Sequence, residues 1–215
     1  MRYESKDEAI KAHVDNYRSD GVVKGKGTRY SSDFHRVDFV VQKTPKGSRV
    51  LDIGCNGGTI AIRLMAERGC YVKGLDVVVE LVEKAKKRGV FAEVGEAEDL
   101  SRFKDESFGV VICCEVLEHL YDPLVAIKEA YRVLSPGGTY IVTIPHPASE
   151  MCKKVGDYHQ MNYSIEIVNT LFHSVFKKGD VQFWNLPYIE EYCATNNLNP
   201  NAAQWLALVA VKRKD

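Results

Sequence analysis

The sequence predicts an α/β fold, a mostly parallel β-sheet with helices on both faces. Three observations carry this. From Arg49 onward, short apolar runs rich in β-branched residues alternate with helical stretches. Strands buried on both faces read as unbroken apolar runs, and a parallel pair needs a crossover long enough to hold a helix. The glycine-punctuated segment VLDIGCNGG (50–58) joins one such strand to a helix, the usual βα turn of this architecture. Finally, 215 residues with 45% apolar and 27% charged content suit a single core with an arm or lid, hardly two domains.

The elements follow in order. KDEAIKAHVDNY (6–17) reads as a short amphipathic helix, and GVVKGKGTRYSS (21–32) as a Gly- and Lys-rich loop. A second helix is expected near 33–43, ending before Pro45. The alternation then runs RVLDIGC, GTIAIRLMAERG, YVKGLDV, VVELVEKAKKRG, VFAEVGEA, FGVVICC, DPLVAIKEAYRVL and TYIVTIPH. SPGG (135–138) stops a helix and turns the chain ahead of a strand starting near Thr139. Beyond His146 the pattern loosens, with a helix expected around 164–176, an edge strand near 181–184 and a last strand, WLALVAVKRK, at 205–214. One domain in four parts results: a helical cap (1–44), a core (45–146), a substrate lid (147–204) and a last strand with tail (205–215).

Twenty-nine Lys plus Arg balance twenty-nine Asp plus Glu, which argues against a broadly basic coat for nucleic acid. No apolar run approaches the roughly 18–20 residues of a bilayer span, and the opening MRYESKDEAIKAH is too polar for a signal peptide. A cytoplasmic protein, monomeric or homodimeric, is expected. The six cysteines show no C-x-x-C pair and read as reduced core or pocket residues.

The chemistry concentrates at strand ends. Asp52 closes the first strand, and Gly54, Gly57 and Gly58 shape the turn after it. Asn56 falls where a left-handed conformation is needed, which Asn tolerates well. Such a turn brings backbone close to a ligand and aims helix-start N–H groups at it. The spacing is G-x-x-G-G behind a carboxylate, whereas a dinucleotide fold uses G-x-G-x-x-G to receive a pyrophosphate; the acid suits an amine-bearing ligand better. Asp76 ends the second strand, placed for a ribose diol or for a helix cap. The third strand ends in GEAEDL (95–100), where Glu96 and the Ala97 backbone can meet an adenine edge, with Glu98 or Asp99 beside them.

With these segments together, residues 49–146 resemble a class I S-adenosylmethionine (SAM)-dependent methyltransferase. VLDIGCNGG, GLD, GEAEDL, FGVVICCEVLEHL and YRVLSPGGTYIVTIP carry the resemblance. It implies a Rossmann-like fold with a mostly parallel seven-stranded sheet, and SAM as cofactor. It also implies a cofactor site in which Asp52, Gly54, Cys55, Asn56 and Gly58 hold the methionine end. Asp76 and Val77 would take the ribose, Glu96 and Ala97 the adenine, Cys114 a wall by its backbone, and Arg36 the carboxylate. Asn56 stands where the family more often has glycine, and Glu96 where Asp is commoner.

CEVLEHLYDP resembles quinone-biosynthesis O-methyltransferases and many small-molecule relatives. The same E-x-x-E-H pattern occurs in metal-dependent RNA ribose methyltransferases. If the segment is helical, Glu115, Glu118 and His119 share a face and could hold a divalent cation, with His159 as fourth ligand. The blander alternative has Glu118 and His119 cap and orient the loop while Glu115 stays near the cofactor. His146 is a candidate proton acceptor, with His159 and His119 as the others. His13, His35 and His173 read as structural or surface groups, and Lys84–Arg88 as a solvated helix face. Tyr158, Tyr163, Phe183, Trp184 and Tyr188 could wall a planar substrate or simply form lid core. The expected activity is methyl transfer to an oxygen, or a nitrogen, of a small-molecule acceptor. A metal-assisted RNA ribose methyltransferase and a non-catalytic SAM-binding partner are the alternatives.

Overall fold

The computed structural model describes residues 3–19, 34–146, 163–187 and 203–214. Two helices, α1 (Lys6–Ser19) and α2 (Phe34–Lys43), precede the alternating core. The core runs β1 (Arg49–Ile53), α3 (Thr59–Arg68), β2 (Tyr71–Asp76), α4 (Val79–Lys87), β3 (Phe91–Val94), β4 (Phe108–Cys114), a 3₁₀ turn at Leu117–His119, α5 (Pro123–Val133) and β5 (Leu134–Pro145). Then come α6 (Ile165–His173), β6 (Val181–Pro187) and β7 (Ala203–Val211). The seven strands form one sheet in the order β3-β2-β1-β4-β5-β7-β6. The first five strands are parallel, while β7 runs antiparallel to both β5 and β6.

Period-two alternation divides the core between the faces. Leu51, Val111, Tyr140 and Val142 join one buried cluster with Ile127 of α5 and Phe172 of α6. Their strand neighbours Val50, Val110, Ile112 and Ile141 join the other, with Val40 of α2, Leu64 of α3 and Val82 of α4. Continuous apolar strands are thus buried on both sides, as the sequence pattern requires. Helix ends obey local rules. Asp122 accepts hydrogen bonds from the Leu124 and Val125 N–H groups ahead of Pro123, and Ser164 caps α6 through Ile167 N–H.

Some boundaries differ from expectation. SPGG is a bulge inside β5, not a turn ahead of it: pairing passes from Phe108–Leu134 to Val110–Thr139 while Gly137 takes φ 79°. Helix α6 stops at His173, β6 extends to Pro187, and β7 spans 203–211. The loop at 21–32 lies outside the described residues. Among the described residues, no helix is long and apolar enough to cross a membrane.

Candidate functional site

The sheet's carboxyl ends open into a cavity of about 300 Å³ at the tips of β1, β2 and β4. Its position follows from topology. Strand order reverses beside β1, so the connections leaving β1 and β4 depart to opposite sides and leave a crevice.

The loop after β1 builds the floor. Gly54 (φ 69°) and Asn56 (φ 50°) are left-handed, confirming the conformation expected of Asn56. Gly54 also has no room for a side chain, since a Cβ there would stand 2.3 Å from Val116 Cγ2. The Gly54 and Cys55 N–H groups both donate to Leu75 O, at 2.7 and 3.0 Å. Asn56 N–H donates to Asp76 Oδ2 at 2.8 Å, and Asn56 Oδ1 accepts from Gly57 N–H at 2.7 Å. Asp76 Oδ1 accepts from Val78 N–H at 2.9 Å, so backbone donors hold the carboxylate at both oxygens. Asp76 thus braces the turn ahead of α4, whose N-cap position, Val78, has no side-chain cap. Gly58 opens α3 at φ 80° against Val90, outside the cavity lining.

Asp52 is 1% exposed, and its Oδ2 has no hydrogen-bond partner. Burial first, then the neighbouring Asp76, raises its pKa to about 7, against the pull of Arg36. Burial likewise raises Asp76, opposed by its backbone hydrogen bonds. An orphaned buried carboxylate oxygen facing a cavity invites a donor, so the site fits the amino group of an amino-acid-like ligand. Arg36 of α2, Val77, Ala97, Cys55 and Cys114 also line the cavity. Burial lifts the Cys114 thiol to about 12 and the Cys55 thiol higher still, leaving both protonated. Cys55, Cys70, Cys113 and Cys114 are all free and buried.

Other expectations are corrected. Glu96 does not line the cavity; its carboxylate meets Lys6 Nζ at 2.7 Å, and Glu98 takes the place beside Ala97. The E-x-x-E-H segment is not a helix face. Glu115 is left-handed (φ 55°), and only Leu117–His119 form a 3₁₀ turn; Glu115 and His119 line the cavity, and Glu118 does not. Thr143 Oγ1 donates to Glu115 Oε1 at 3.0 Å, while Glu118 is 2% exposed, with burial and then Glu115 pushing its pKa well up. Among the described residues, no three His, Cys, Asp or Glu side chains are grouped as a metal ion requires. His159 lies outside the described residues, as do Tyr158 and Tyr188.

His146 is not part of the lining; burial lowers its pKa, and a hydrogen bond with Asn185 opposes this. Tyr163, Phe183 and Trp184 belong to the body. Tyr163 OH donates to Leu117 O, Phe183 packs on the core, and Trp184 meets Phe39 edge-on at 5.3 Å.

The sequence reading missed the roof. Ala9, Ile10, His13 and Tyr17 of α1 face the cavity, and Lys84 and Arg88 of α4 close its side. The rings of His13 and His119 lie 4.5 Å apart, and burial lowers the His13 pKa to about 4, so the imidazole is neutral. The α1 spacing marks one helix face in the sequence, but no local signal says where that face docks.

Comparisons with known proteins agree. Residues 51–142 match the family model described as a methyltransferase domain. Ubiquinone biosynthesis O-methyltransferase of Xanthomonas campestris pv. campestris (strain B100) is 36% identical over 115 residues, covering 50% of this chain and 48% of that protein. The protein of the same name from Hahella chejuensis is 38% identical over 109 residues, covering 47% and 45%. The chain thus spans about half the length of the curated relatives it matches. A chain from the complex between the Haloferax volcanii Trm112 methyltransferase activator and a methyltransferase superposes with TM-score 0.73 at 20% identity, covering 94% of this chain and 98% of that one. Haemonchus contortus phosphoethanolamine N-methyltransferase 2, in complex with SAM, gives 0.66 at 19%, covering 99% and 59%. At such identities the solved structures speak for the fold alone. Residues 51–142 thus match a methyltransferase domain, and the whole chain shares the fold of SAM-dependent methyltransferases of known structure.

Proposed function

We propose that this protein transfers a methyl group from SAM to an oxygen, or a nitrogen, of a small-molecule acceptor. The observation that carries the reading is the unpartnered Oδ2 of buried Asp52, facing a cavity at the carboxyl edge of the sheet. Bound SAM supplies an activated methyl on a sulfonium, so the protein's task is proximity, orientation and electrostatics. Asp52 and the Gly54–Asn56 loop would hold the amino-acid end, with Arg36 toward the carboxylate. Asp76, fixed by the Asn56 and Val78 N–H groups, has lone pairs left for a ribose diol. The Ala97 backbone and Glu98 flank the place for adenine, and the Cys114 backbone walls the site.

A hydroxyl acceptor gains from a proton acceptor within reach. The cavity offers neutral His13, with His119 beside it, whereas His146 stands outside its lining. The relatives' names and the zero net charge support a small-molecule acceptor. The metal-assisted RNA reading loses its support, because Glu115 is turned toward Thr143 instead of sharing a helix face with Glu118 and His119.

Calorimetric titration with SAM and with S-adenosylhomocysteine (SAH) tests the reading. Dissociation constants near micromolar, about −8 kcal/mol, are expected. Transfer of radiolabelled methyl to a panel of catechols, phenols and amines then assigns the acceptor class. A folded protein that binds neither SAM nor SAH refutes the proposal.

A further inference from the structure

Glu115 is the feature that the site described so far leaves unused. It is one of three described non-glycine residues with positive φ, the others being Asn56 and Glu106. A side chain with a β-carbon adopts this conformation at a cost, and such strain persists only where neighbours hold it. Here Thr143, fully buried on β5, holds it twice. Its carbonyl accepts from Glu115 N–H at 2.9 Å, and its hydroxyl donates to Glu115 Oε1 at 3.0 Å. The clamp fixes the first residue past β4, which lines the cavity between Cys114 and Val116. Val116 in turn packs over Gly54, where the floor loop begins. An acid is thus kept in place at the centre of the strand tips, at a backbone cost that a glycine would avoid.

We propose that Glu115, locked by Thr143, makes the cavity favour the cationic sulfonium of SAM over the neutral thioether of SAH. This rests on the reading of the cavity as the SAM site. SAM and SAH share every group except the methyl and its positive charge. A carboxylate held inside a low-dielectric pocket stabilises that charge more than it would in water. The substrate form of the cofactor is then preferred, and the product form, having lost the charge, is held less tightly. Glu115 acts on the ligand directly, and Thr143 is the positioning residue.

The test is a ratio and needs no acceptor. Dissociation constants for SAM and SAH are measured by calorimetry on the full chain and on Glu115→Gln, Thr143→Val and Thr143→Ser. Gln keeps the size of Glu115 and can accept the Thr143 hydrogen bond, so only the charge is removed. The preference for SAM over SAH should fall about tenfold in Glu115→Gln, about 1.4 kcal/mol. It should fall in the same direction, by less, in Thr143→Val and return in Thr143→Ser. Taking the ratio cancels whatever a substitution does to contacts common to both ligands. A ratio within twofold of the unsubstituted protein in Glu115→Gln overturns the assignment. A Thr143→Val protein that binds SAH and keeps the full preference overturns the clamp. Failure of the unsubstituted protein to bind either ligand counts instead against the methyltransferase reading of the cavity.

Discussion

Replacing Asp52 by Asn should make the unliganded protein more stable at alkaline pH while emptying the site of its purpose. Asp52 is 1% exposed, and its carboxyl is raised from 3.8 to about 7, chiefly by burial and then by Asp76. Its unfolded counterpart ionises near the lower value. A native pKa above the unfolded one means that this group stabilises the fold fully below about pH 4, and that the contribution is lost as pH rises through about 7. The whole swing amounts to about 4 kcal/mol, and about 2 kcal/mol of it falls between about pH 5.5 and about pH 8. Asn cannot ionise, so the stability difference between Asp52→Asn and the unsubstituted protein should grow by about 2 kcal/mol across that window. Other titrating groups are common to both proteins and largely cancel. Urea unfolding of both proteins at the two pH values measures the difference, and SAH titration of the same samples should show weakened binding by the variant. A stability difference that is flat, or that shrinks toward alkaline pH, would refute the claim that Asp52 is held at an energetic disadvantage in the empty cavity.

Three further substitutions bear on other parts of the molecule. Gly54→Ala combines a left-handed backbone with a Cβ 2.3 Å from Val116 Cγ2, and should lower the melting temperature by roughly 5–15 °C and abolish SAH binding. Phe172→Ala empties a fully buried position in a three-ring cluster with Tyr140 and Phe176 and should cost about 3–5 kcal/mol by urea titration. Its SAH affinity should be unchanged at temperatures where it is folded. Lys6→Ala breaks an ion pair whose side chains are more than a third exposed, so its effect on stability should stay below about 1 kcal/mol in the same assay.

Residues whose chemistry sits where an apolar strand ends were legible in the sequence. Asp52 lies next to the end of β1 and Asp76 ends β2, and Asn56 stands among glycines where the backbone must reverse; all three line the cavity. What escaped was set by distant partners. Whether Glu96 or Glu98 turns inward depends on the path of the turn after β3 and on Lys6, which comes from a helix 90 residues earlier and takes Glu96. Glu115, Glu118 and His119 have helical spacing, but Thr143 on the neighbouring strand captures Glu115, and the chain reverses instead of coiling. His13 carries no motif at all; only the docking of α1 brings it against His119. Lys84 and Arg88, read as solvated, are drawn into the wall by the loop after β1: Arg88 Nη1 donates to Gly57 O, and the Lys84 stem lies over Gly57.

Strand β7 inserts between β5 and β6 although it is the last strand of the sheet to be synthesised. Until it arrives, β5 has one edge open, with Tyr140, Ile141 and Val142 all destined for full burial. Val211 comes 66 residues after Pro145 in the chain. At roughly 5–20 residues per second, a growing chain carries that sticky edge for about 3–13 seconds. The polypeptide is therefore most exposed to aggregation while residues 146–203 are being made, after the βαβ half that forms the cavity floor. Slowing the ribosome over codons 146–203 should depress soluble yield more than slowing it anywhere earlier.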